Sequence, residues 1–194
     1  MSEPLPSVLS DGNARDRALL QRVALRDRPA FEELYYGYHR RLARFLGRFT
    51  QRHDLIEEVI NDTLWIVWQK AGGFRGGSQV STWIMGIAYR CTLKSLRRAG
   101  GATAEYIADD HADTAVDEPV EAQEQRDWIA QGMGHLPLEQ RMTMELAYYL
   151  GHSCEEIAQI MDCPISTVKA RMFHAWVKLR NLLPRLGDPR EKAS

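Results

Sequence analysis

The chain has 194 residues, of which 44% are hydrophobic and 26% charged, with a net charge of −1. This length and apolar content allow one modest core or two small ones and exclude a wholly disordered protein. The near-zero net charge hides an uneven distribution. Residues 1–98 carry 16 basic and 10 acidic side chains, residues 99–127 carry 1 and 9, and residues 128–194 carry 8 and 7. Blocks of opposite charge predict segments that meet different partners.

Targeting, membrane and metal signals are weak. Residues 1–7 lack a basic region followed by an apolar stretch, and no run of about 18 apolar residues occurs, so we expect neither a signal peptide nor membrane insertion. Three cysteines favour a reducing cytoplasm over a disulfide framework. His152, Cys154 and Cys163 lack the paired spacing and fourth ligand of a zinc site. We therefore expect a cytoplasmic protein with no metal and no other cofactor.

Residues 1–98 are predicted to form an all-α domain, because apolar residues recur there with the helical period and no alternating strand pattern is present. A first helix is predicted over Ala14–Arg26, and Pro29 is placed to open a second. Asp54 is predicted to cap the third helix. A glycine-rich loop at 72–77 then precedes a fourth helix over Thr82–Arg98.

Residues 99–119 differ from both flanks. They contain six acidic residues and no Lys or Arg, with scattered Gly, Ala and Thr. This composition predicts a flexible acidic linker. Such a segment has an average span of roughly 25 Å and extends to about 70 Å, which is long enough to place two small domains on separate sites.

Residues 120–186 are predicted to form a second small helical domain, followed by a tail at 187–194. Pro137 opens one helix, and Ser153 and Glu156 form a capping box that starts the next. Ser166 is predicted to cap the last long helix. That helix ends at Pro184 after burying the residues Val168, Met172, Ala175, Trp176, Leu179 and Leu182.

The last two of these helices have the features of a helix-turn-helix. Ala158 provides a small residue at the crossing, and Ile165 and Val168 are predicted to lock the turn. No acidic residue occurs from Cys163 to Gly187. A solvated cationic face is the alternative reading, but the order of cap, turn and acid-free helix favours docking in the major groove of duplex DNA.

Three segments resemble the bacterial extracytoplasmic-function (ECF) sigma factors of the sigma-70 family. Residues 164–175, PISTVKARMFHA, resemble the helix that reads the −35 promoter element. Residues 57–68, EEVINDTLWIVW, resemble the polymerase-binding segment, and residues 74–98 resemble the segment that recognises and melts the −10 element. The resemblance covers about residues 14–98 and 124–184, in the family's order.

The resemblance implies three sets of contact residues and no catalytic residue. Contacts to the β′ subunit of core RNA polymerase are expected from Glu57, Glu58, Asn61 and Asp62. Contacts to the −10 region are expected from Arg75, Ser78, Gln79, Ser81, Thr82, Trp83, Arg90, Lys94, Arg97 and Arg98. Contacts to the −35 region are expected from Ser166, Thr167, Lys169, Ala170, Arg171, Phe173, His174 and Lys178.

Two roles stay open at this stage. Thr63 matches the family, and a phosphate there would add local negative charge, although a threonine on an inner helical stripe more often serves packing. The acidic linker is either a passive tether or, by resemblance, a segment that enters the RNA-exit path of the polymerase, where its charge imitates nucleic acid.

The leading hypothesis is an alternative sigma factor. Its expected partners are core RNA polymerase (β′ and β subunits), promoter DNA and an anti-sigma factor, and it would associate with the nucleoid when in holoenzyme. A free-standing helix-turn-helix regulator with a partner-sensing N-terminal domain is the alternative, but it leaves the basic segment at 74–98 without a purpose. An enzyme is disfavoured because the sequence has no phosphate loop, nucleophile motif or metal ligand set.

Overall fold

The computed structural model describes residues 8–98 and 120–186, so the predicted linker at 99–119 and tail at 187–194 lie outside the described residues. Within the described ranges the chain is helical and forms no strand, which confirms the all-α prediction. None of these helices is long and apolar enough to cross a membrane. The α-helices are α1 Val8–Ala24, α2 Arg28–Gly47, α3 His53–Lys70, α4 Val80–Arg98, α5 Val120–Gly134, α6 Leu138–Met144, α7 Cys154–Met161 and α8 Ile165–Leu182.

The first four helices pack around one core. The predicted stripes of α2 and α3 face inward, and Pro29 lies in the first turn of α2. The N-cap of α2 is Asp27, whose carboxylate accepts a hydrogen bond from the amide of Ala30 at 3.2 Å. This bond and the neighbouring Arg22 hold the pKa of Asp27 below its usual value. The fully buried residues of this core include Val23, Leu34, Leu42, Phe45, Ile60, Val67 and Ile84.

The predicted cap of α3 is wrong. Arg52 occupies the N-cap position, and Asp54 lies in the first turn of the helix. The carboxylate of Asp54 pairs with Arg52 Nη2 at 2.6 Å. A carboxylate in the first turn of a helix interacts favourably with the helix dipole, which explains why an aspartate is stabilising near the N-terminus of α3.

The C-terminal helices form a smaller bundle, and the sequence prediction of its last helix needs three corrections. Pro164, not Ser166, is the N-cap of α8, because its carbonyl accepts bonds from Thr167 and Val168 at 2.9 and 3.2 Å. Ile165 does not lock the turn, since it is 39% exposed. Trp176 lies on the surface, 52% exposed, because Val168, Ala175 and Leu179 define an inner face that excludes it.

The helix opened by Pro137 also ends differently from the expectation. After seven α-helical residues, α6 widens into a π-helical turn over Glu145–Tyr149. The amide of His152 then donates to the carbonyl of Leu146 at 2.9 Å, and Gly151 adopts a φ of +70° that only glycine accepts readily. This irregular exit sets the direction from which α7 starts.

The two bundles share one continuous core. Helix α7 packs along α4, and the buried residues Met142, Leu146, Ile157, Ile160, Met161 and Val168 belong to the same apolar cluster as the core of the first four helices. Gly86 of α4 lies at the closest approach, where an added Cβ would be 3.6 Å from the Cα and carbonyl oxygen of Ile160. A smaller second cluster consists of Met133, Leu136, Met144, Ala175 and Leu179.

A polar seam borders this shared core between α2 and α6. Arg141 is 2% exposed, and its guanidinium donates to the carbonyl of Arg48 at 2.5 Å and lies 4.9 Å from the Phe49 ring centroid. Arg48 in turn lies 4.0 Å over the ring of Tyr149 and 3.8 Å from the Glu145 carboxylate. The seam fixes the second bundle against the first through groups from both.

Candidate nucleic-acid interface

The four residues predicted to bind polymerase lie together on an outward stripe of α3. Glu57 and Asn61 are one turn apart, as are Glu58 and Asp62, so all four side chains leave the same side of the helix. Glu57, Asn61 and Asp62 are exposed, and Glu58 is half-buried. The structure therefore brings these predicted residues into one acidic and polar surface.

Two of these residues contact α2. The Glu57 carboxylate lies 3.1 Å from His39 Nε2, and the Tyr35 hydroxyl donates to Asn61 Oδ1 at 3.2 Å. The rings of Tyr35 and His39 stack with centroids 5.5 Å apart. These contacts restrict the side chains before any partner arrives, which lowers the entropy cost of binding.

Glu58 connects two of the predicted sites, because its carboxylate pairs with Arg98 at the end of α4. Arg98 is predicted to contact DNA, but its guanidinium pairs with Glu58 on the acidic stripe of α3. Both side chains remain accessible to solvent, 60% for Arg98 and 41% for Glu58, so the pair is weak and either partner can form other contacts.

Sequence reasoning missed two exposed aromatic residues beside this stripe. Trp65, one turn after Asn61, is 58% exposed, and Tyr36 on α2 is 69% exposed. Large exposed aromatic side chains are enriched at protein interfaces. The helical period of α3 could have identified Trp65 as exposed, because it lies outside the inward stripe that contains Leu64 and Val67.

Thr63 lies on the inner side of α3. Its side chain is fully buried, and its hydroxyl donates to the carbonyl of Val59 at 2.7 Å. The geometry favours the packing interpretation over the modification, because a kinase cannot reach a buried hydroxyl in the folded chain. Thr63 also lies near the thiol of Cys91, whose pKa is raised by burial.

The glycine-rich loop between α3 and α4, residues 74–79, projects from the first bundle. Phe74 packs against Trp83 across its base, with ring centroids 5.3 Å apart. Gly76, in the loop between these aromatic residues, has a φ of +74°, a left-handed conformation that glycine adopts readily. Both rings are half-buried, so Trp83 presents one part of its surface to solvent and anchors the loop with the rest.

The residues predicted to contact the −10 region fall into two groups. Arg75 and Gln79 are exposed in the loop, with Ser78, Ser81 and Trp83 half-buried beside it. The cations are exposed further along α4, and Arg98 lies about 27 Å from the start of that helix at 1.5 Å per residue. These cations are Arg90, Lys94, Arg97 and Arg98. The arrangement suits a single strand that runs along α4 rather than a compact pocket.

Thr82 departs from this pattern. It is 2% exposed, and its hydroxyl donates to the Glu156 carboxylate of α7 at 3.2 Å. Burial raises the pKa of Glu156, but the bond from the Ser153 backbone, the neighbouring His152 and the Thr82 hydroxyl together lower it below its usual value. The ionised carboxylate thus ties a residue of the predicted −10 segment to the helix-turn-helix.

The helix-turn-helix consists of α7, a tight turn and α8. The predicted capping box is confirmed: Ser153 Oγ accepts from the Glu156 amide at 3.2 Å, and the Ser153 amide donates to Glu156 Oε2 at 2.9 Å. The turn passes through Asp162 in the left-handed region, with a φ of 52°, and the Cys163 amide donates to the Ala158 carbonyl. The Ala158 carbonyl therefore lies beside the turn.

Helix α8 presents most of its predicted DNA-contacting residues to solvent. Its outward residues carry two cations, an imidazole and an aromatic ring, and Phe173 is 63% exposed. Thr167 is half-buried, and the residues Ser166, Lys169, Ala170, Phe173, His174 and Lys178 are exposed. The mixture of hydrogen-bonding and apolar groups can read base edges and anchor phosphates.

Arg171 is oriented differently from the prediction, which placed it on the outward face. Its side chain is only 20% exposed and forms an ion pair with Glu139 of α6. The guanidinium also lies 3.6 Å from the sulfur of Cys163 and 4.0 Å from that of Met161. Arg171 therefore holds the turn of the helix-turn-helix against α6 in this conformation.

Trp176 adds an aromatic group to the surface of α8. Its indole N–H donates to the Tyr148 hydroxyl at 3.0 Å, and the two rings meet edge to face with centroids 5.8 Å apart. The helical period alone placed Trp176 inside, and its polar N–H gave the only signal for an accessible position.

Comparison with known families identifies both bundles. The profile described as sigma-70 region 2 matches residues 34–101, and the profile described as sigma-70, region 4 matches residues 126–179. The first match contains the acidic stripe of α3 and the loop at 74–79, and the second contains the helix-turn-helix.

A curated relative and two solved structures extend this match. The ECF RNA polymerase sigma-E factor of Haemophilus influenzae is 30% identical over 185 residues, which cover 88% of this chain and 96% of the relative. The structure of CnrH in complex with the cytosolic domain of CnrY is 20% identical, with a TM-score of 0.66, and covers 88% of this chain and 98% of that one. The sigma factor RpoE of Bartonella quintana, in complex with the anti-sigma factor NepR, is 23% identical, with a TM-score of 0.60, and covers 81% and 98%.

The chain belongs to the sigma-70 family. Within that family it is an ECF sigma factor, an alternative sigma factor that directs transcription, and the sequence hypothesis is confirmed at this level. A free-standing regulator is not favoured.

Proposed function

We propose that this sigma factor binds the β′ and β subunits of core RNA polymerase, recognises the −10 and −35 elements of its promoters and assists their melting. It acts in the bacterial cytoplasm, on the nucleoid when in holoenzyme, and catalyses no covalent reaction. One observation carries the proposal: a single chain presents an exposed acid-free recognition helix, an exposed loop beside Trp83, and a separate acidic stripe on α3. Two surfaces suit DNA, and the third suits a basic protein partner.

Run-off transcription tests the proposal. Bacterial core polymerase is incubated with a library of random promoter sequences, with and without this chain, and the transcripts are sequenced. We expect transcripts that depend on the chain and that share two sequence elements, at −10 and −35. Binding of the chain to duplex DNA with no chain-dependent transcript would contradict the proposal.

The acidic stripe on α3 supports the assignment of the polymerase contact. Because Glu58 and Asp62 carry its negative charge on one side, the double variant Glu58→Lys, Asp62→Lys is expected to lower affinity for core polymerase at least tenfold, with repulsion replacing attraction. Glu32→Lys, an exposed reversal on α2, is the matched control. Normal core affinity in the double variant would show that polymerase binds elsewhere.

The exposed part of α8 supports the −35 assignment. Lys169→Met and His174→Ala are expected to change which base is preferred at one −35 position, since bidentate or close polar contacts to a base contribute about 1–3 kcal/mol of discrimination. Arg180→Met, exposed on the same helix, is the control. A uniform loss on every −35 sequence would instead assign Lys169 and His174 to phosphates.

An anti-sigma factor is proposed as a further partner. The solved structure of the Bartonella quintana sigma factor contains one, which supports the expectation. Tagged chain purified from its own bacterium is expected to carry a stoichiometric protein that suppresses the chain-dependent transcript. Recovery with core polymerase alone, under all growth conditions, would contradict this part of the proposal.

A further inference from the structure

The loop at 74–79 has little internal support. Between Arg75 and Ser78 no backbone–backbone hydrogen bond forms within the described part of the chain, and the loop depends on the left-handed conformation of Gly76. A glycine-rich segment of this kind populates many conformations unless other groups restrain it. Its defined path therefore requires support from outside the loop.

Helix α1 provides that support at several points between Gly72 and Val80. Near its end, Ala24 lies 4.0 Å from the position of a Cβ on Gly72. About two turns earlier, Arg17 Nη2 donates to the carbonyls of Gly76 and Ser78, each at 3.3 Å. The carbonyls of a loop with no regular structure thereby gain a fixed cationic donor.

A second contact lies one turn closer to the start of α1. Asn13 Oδ1 accepts a hydrogen bond from the amide of Val80 at 3.2 Å. Val80 is the first residue of α4, so its amide has no acceptor within that helix. Asn13 thus performs the role of an N-cap from a distant part of the chain.

Other residues in and just after α1 contact α2 and α3, so that the helix can act as a rigid support. Arg15 pairs with Glu33 of α2 at 2.5 Å, and the Tyr38 hydroxyl donates to Asp16. Just beyond the end of α1, Arg26 donates to the carbonyl of Trp68 at 2.9 Å. Groups of α2 and α3 therefore set the position from which Asn13 and Arg17 reach the loop.

We propose that Arg17 and Asn13 are positioning residues for −10 recognition, which hold the loop at 74–79 and the start of α4 in the conformation that accepts an unpaired promoter base. The proposal rests on the proposed function, because it takes the loop at 74–79 to be the part of the −10 segment that accepts the base. Arg17 acts through the carbonyls of Gly76 and Ser78 and does not itself select a base. The loop residues Arg75 and Gln79 remain free to meet DNA.

A direct contact from Arg17 to a phosphate is the competing role, since its side chain is exposed. The two roles give different results. A phosphate contact contributes equally on every sequence and adds about one unit to the salt dependence of binding. A positioning residue changes the ratio between preferred and disfavoured −10 sequences, because a mobile loop discriminates less.

The test uses the full chain in holoenzyme and a promoter library with random bases at −10, transcribed in one reaction. Arg17→Met is expected to reduce the ratio of preferred to disfavoured transcripts roughly threefold to tenfold. Arg17→Lys, which keeps one donor group, is expected to restore part of it. Arg28→Met is the matched control, because it makes the same change at an exposed arginine at the start of α2 that takes no part in the support of the loop.

Asn13 also has a conservative variant that tests its role. Asn13→Ala is expected to reduce the ratio, and Asn13→Asp to restore it, because a carboxylate also accepts from the Val80 amide and favours a helix N-terminus. A general loss of folded protein lowers all transcripts together and leaves the ratio unchanged. A normal ratio in both Arg17→Met and Asn13→Ala would overturn the proposal.

A measurement without polymerase separates this proposal from the proposed function. Backbone ¹⁵N relaxation of the free chain is expected to show order parameters for the loop amides falling below about 0.6 in Arg17→Met, with those of Arg28→Met unchanged. Unchanged order parameters of the loop in Arg17→Met contradict the positioning role, whatever the −10 ratio of that variant. By contrast, if the parent chain transcribes all −10 sequences equally, the result contradicts base selection, and with it the proposed function.

Discussion

The two elements proposed to bind DNA are supported in different ways. The loop at 74–79 rests on α1, which belongs to the same bundle, and its base is closed by Phe74 and Trp83. The recognition helix α8 rests on α6 and α7, and α7 is itself packed on α4 of the other bundle. The first element is thus complete within its own domain, whereas the second shares its supporting core with the first domain.

This difference matters for promoter binding. Under the proposed function the two elements meet DNA sites separated by about 25 base pairs, or roughly 85 Å at 3.4 Å per pair. In the docked arrangement Thr82 of the −10 segment touches Glu156 of the helix-turn-helix. The shared core must therefore open before both elements bind, and a linker of 21 residues with a reach of about 70 Å accommodates most of that separation.

The largest effect is expected from Arg141, the most deeply buried charge of the seam between α2 and α6. Arg141→Ala removes a large buried side chain and its hydrogen bond to the carbonyl of Arg48, which should lower the free energy of unfolding by about 3 kcal/mol. Urea denaturation of the full chain measures the change. Arg180→Ala, an exposed arginine of α8, should change it by less than about 0.5 kcal/mol.

Gly86 tests the close approach between the domains. Because an added Cβ would meet Ile160 at 3.6 Å, which is ordinary van der Waals contact, Gly86→Ala fits and should gain up to about 1 kcal/mol of helix propensity. Gly86→Leu has no such space and should weaken docking by about 1–3 kcal/mol. Small-angle scattering of the free chain should show a larger radius of gyration for the leucine variant alone. Equal radii for all three chains would show that Gly86 does not lie in a docked interface in solution.

The two predicted serine caps provide a smaller and sharper test. Ser153 caps α7 through a confirmed hydrogen bond, whereas Ser166 lies inside α8 with an exposed side chain. Ser153→Ala should therefore cost about 1 kcal/mol of stability, and Ser166→Ala only a few tenths. Thermal unfolding of both variants gives the comparison. A larger loss from Ser166→Ala would contradict the observed start of α8.

The smallest effect concerns pH. Burial and the nearby Arg41 lower the pKa of His152 below its ordinary value of 6.5, although Glu156 opposes them. A folded chain with a depressed histidine pKa binds fewer protons than the unfolded chain, so stability is complete above about pH 6.5 and falls as the pH decreases below it. The melting temperature should decrease between about pH 7 and 5.5 in the parent chain and less so in His152→Gln. An equal pH dependence of both chains would assign the effect to other groups.

The sequence predicted the helices well because their apolar periods are strong, and it predicted the capping box because Ser153 and Glu156 interact locally. It failed where a distant contact decides the outcome. Trp176 follows the inward period of α8 but satisfies its N–H with Tyr148, 28 positions away. The position of Arg171 on α8 predicts an outward cation, but its side chain forms an ion pair with Glu139 of another helix.

The same reason explains what the sequence could not show of the candidate site. The stripe on α3 is local, so Glu57 and Asn61 could be grouped from their spacing alone. The support of the loop by Arg17 spans about 60 positions, and no periodicity signals it. The burial of Thr82 against α7 depends on a domain contact that local patterns do not encode.

Energy transfer between the two bundles tests the central claim, that the halves share a core in the free chain and separate on the promoter. Dyes are placed through non-natural amino acids at Gln51 and Gln131, which are exposed and outside the proposed contacts. We predict high transfer in the free chain and low transfer in holoenzyme bound to its promoter. Equally low transfer in both states would contradict the docked arrangement, and equally high transfer in both would contradict binding of the two promoter elements by separated domains.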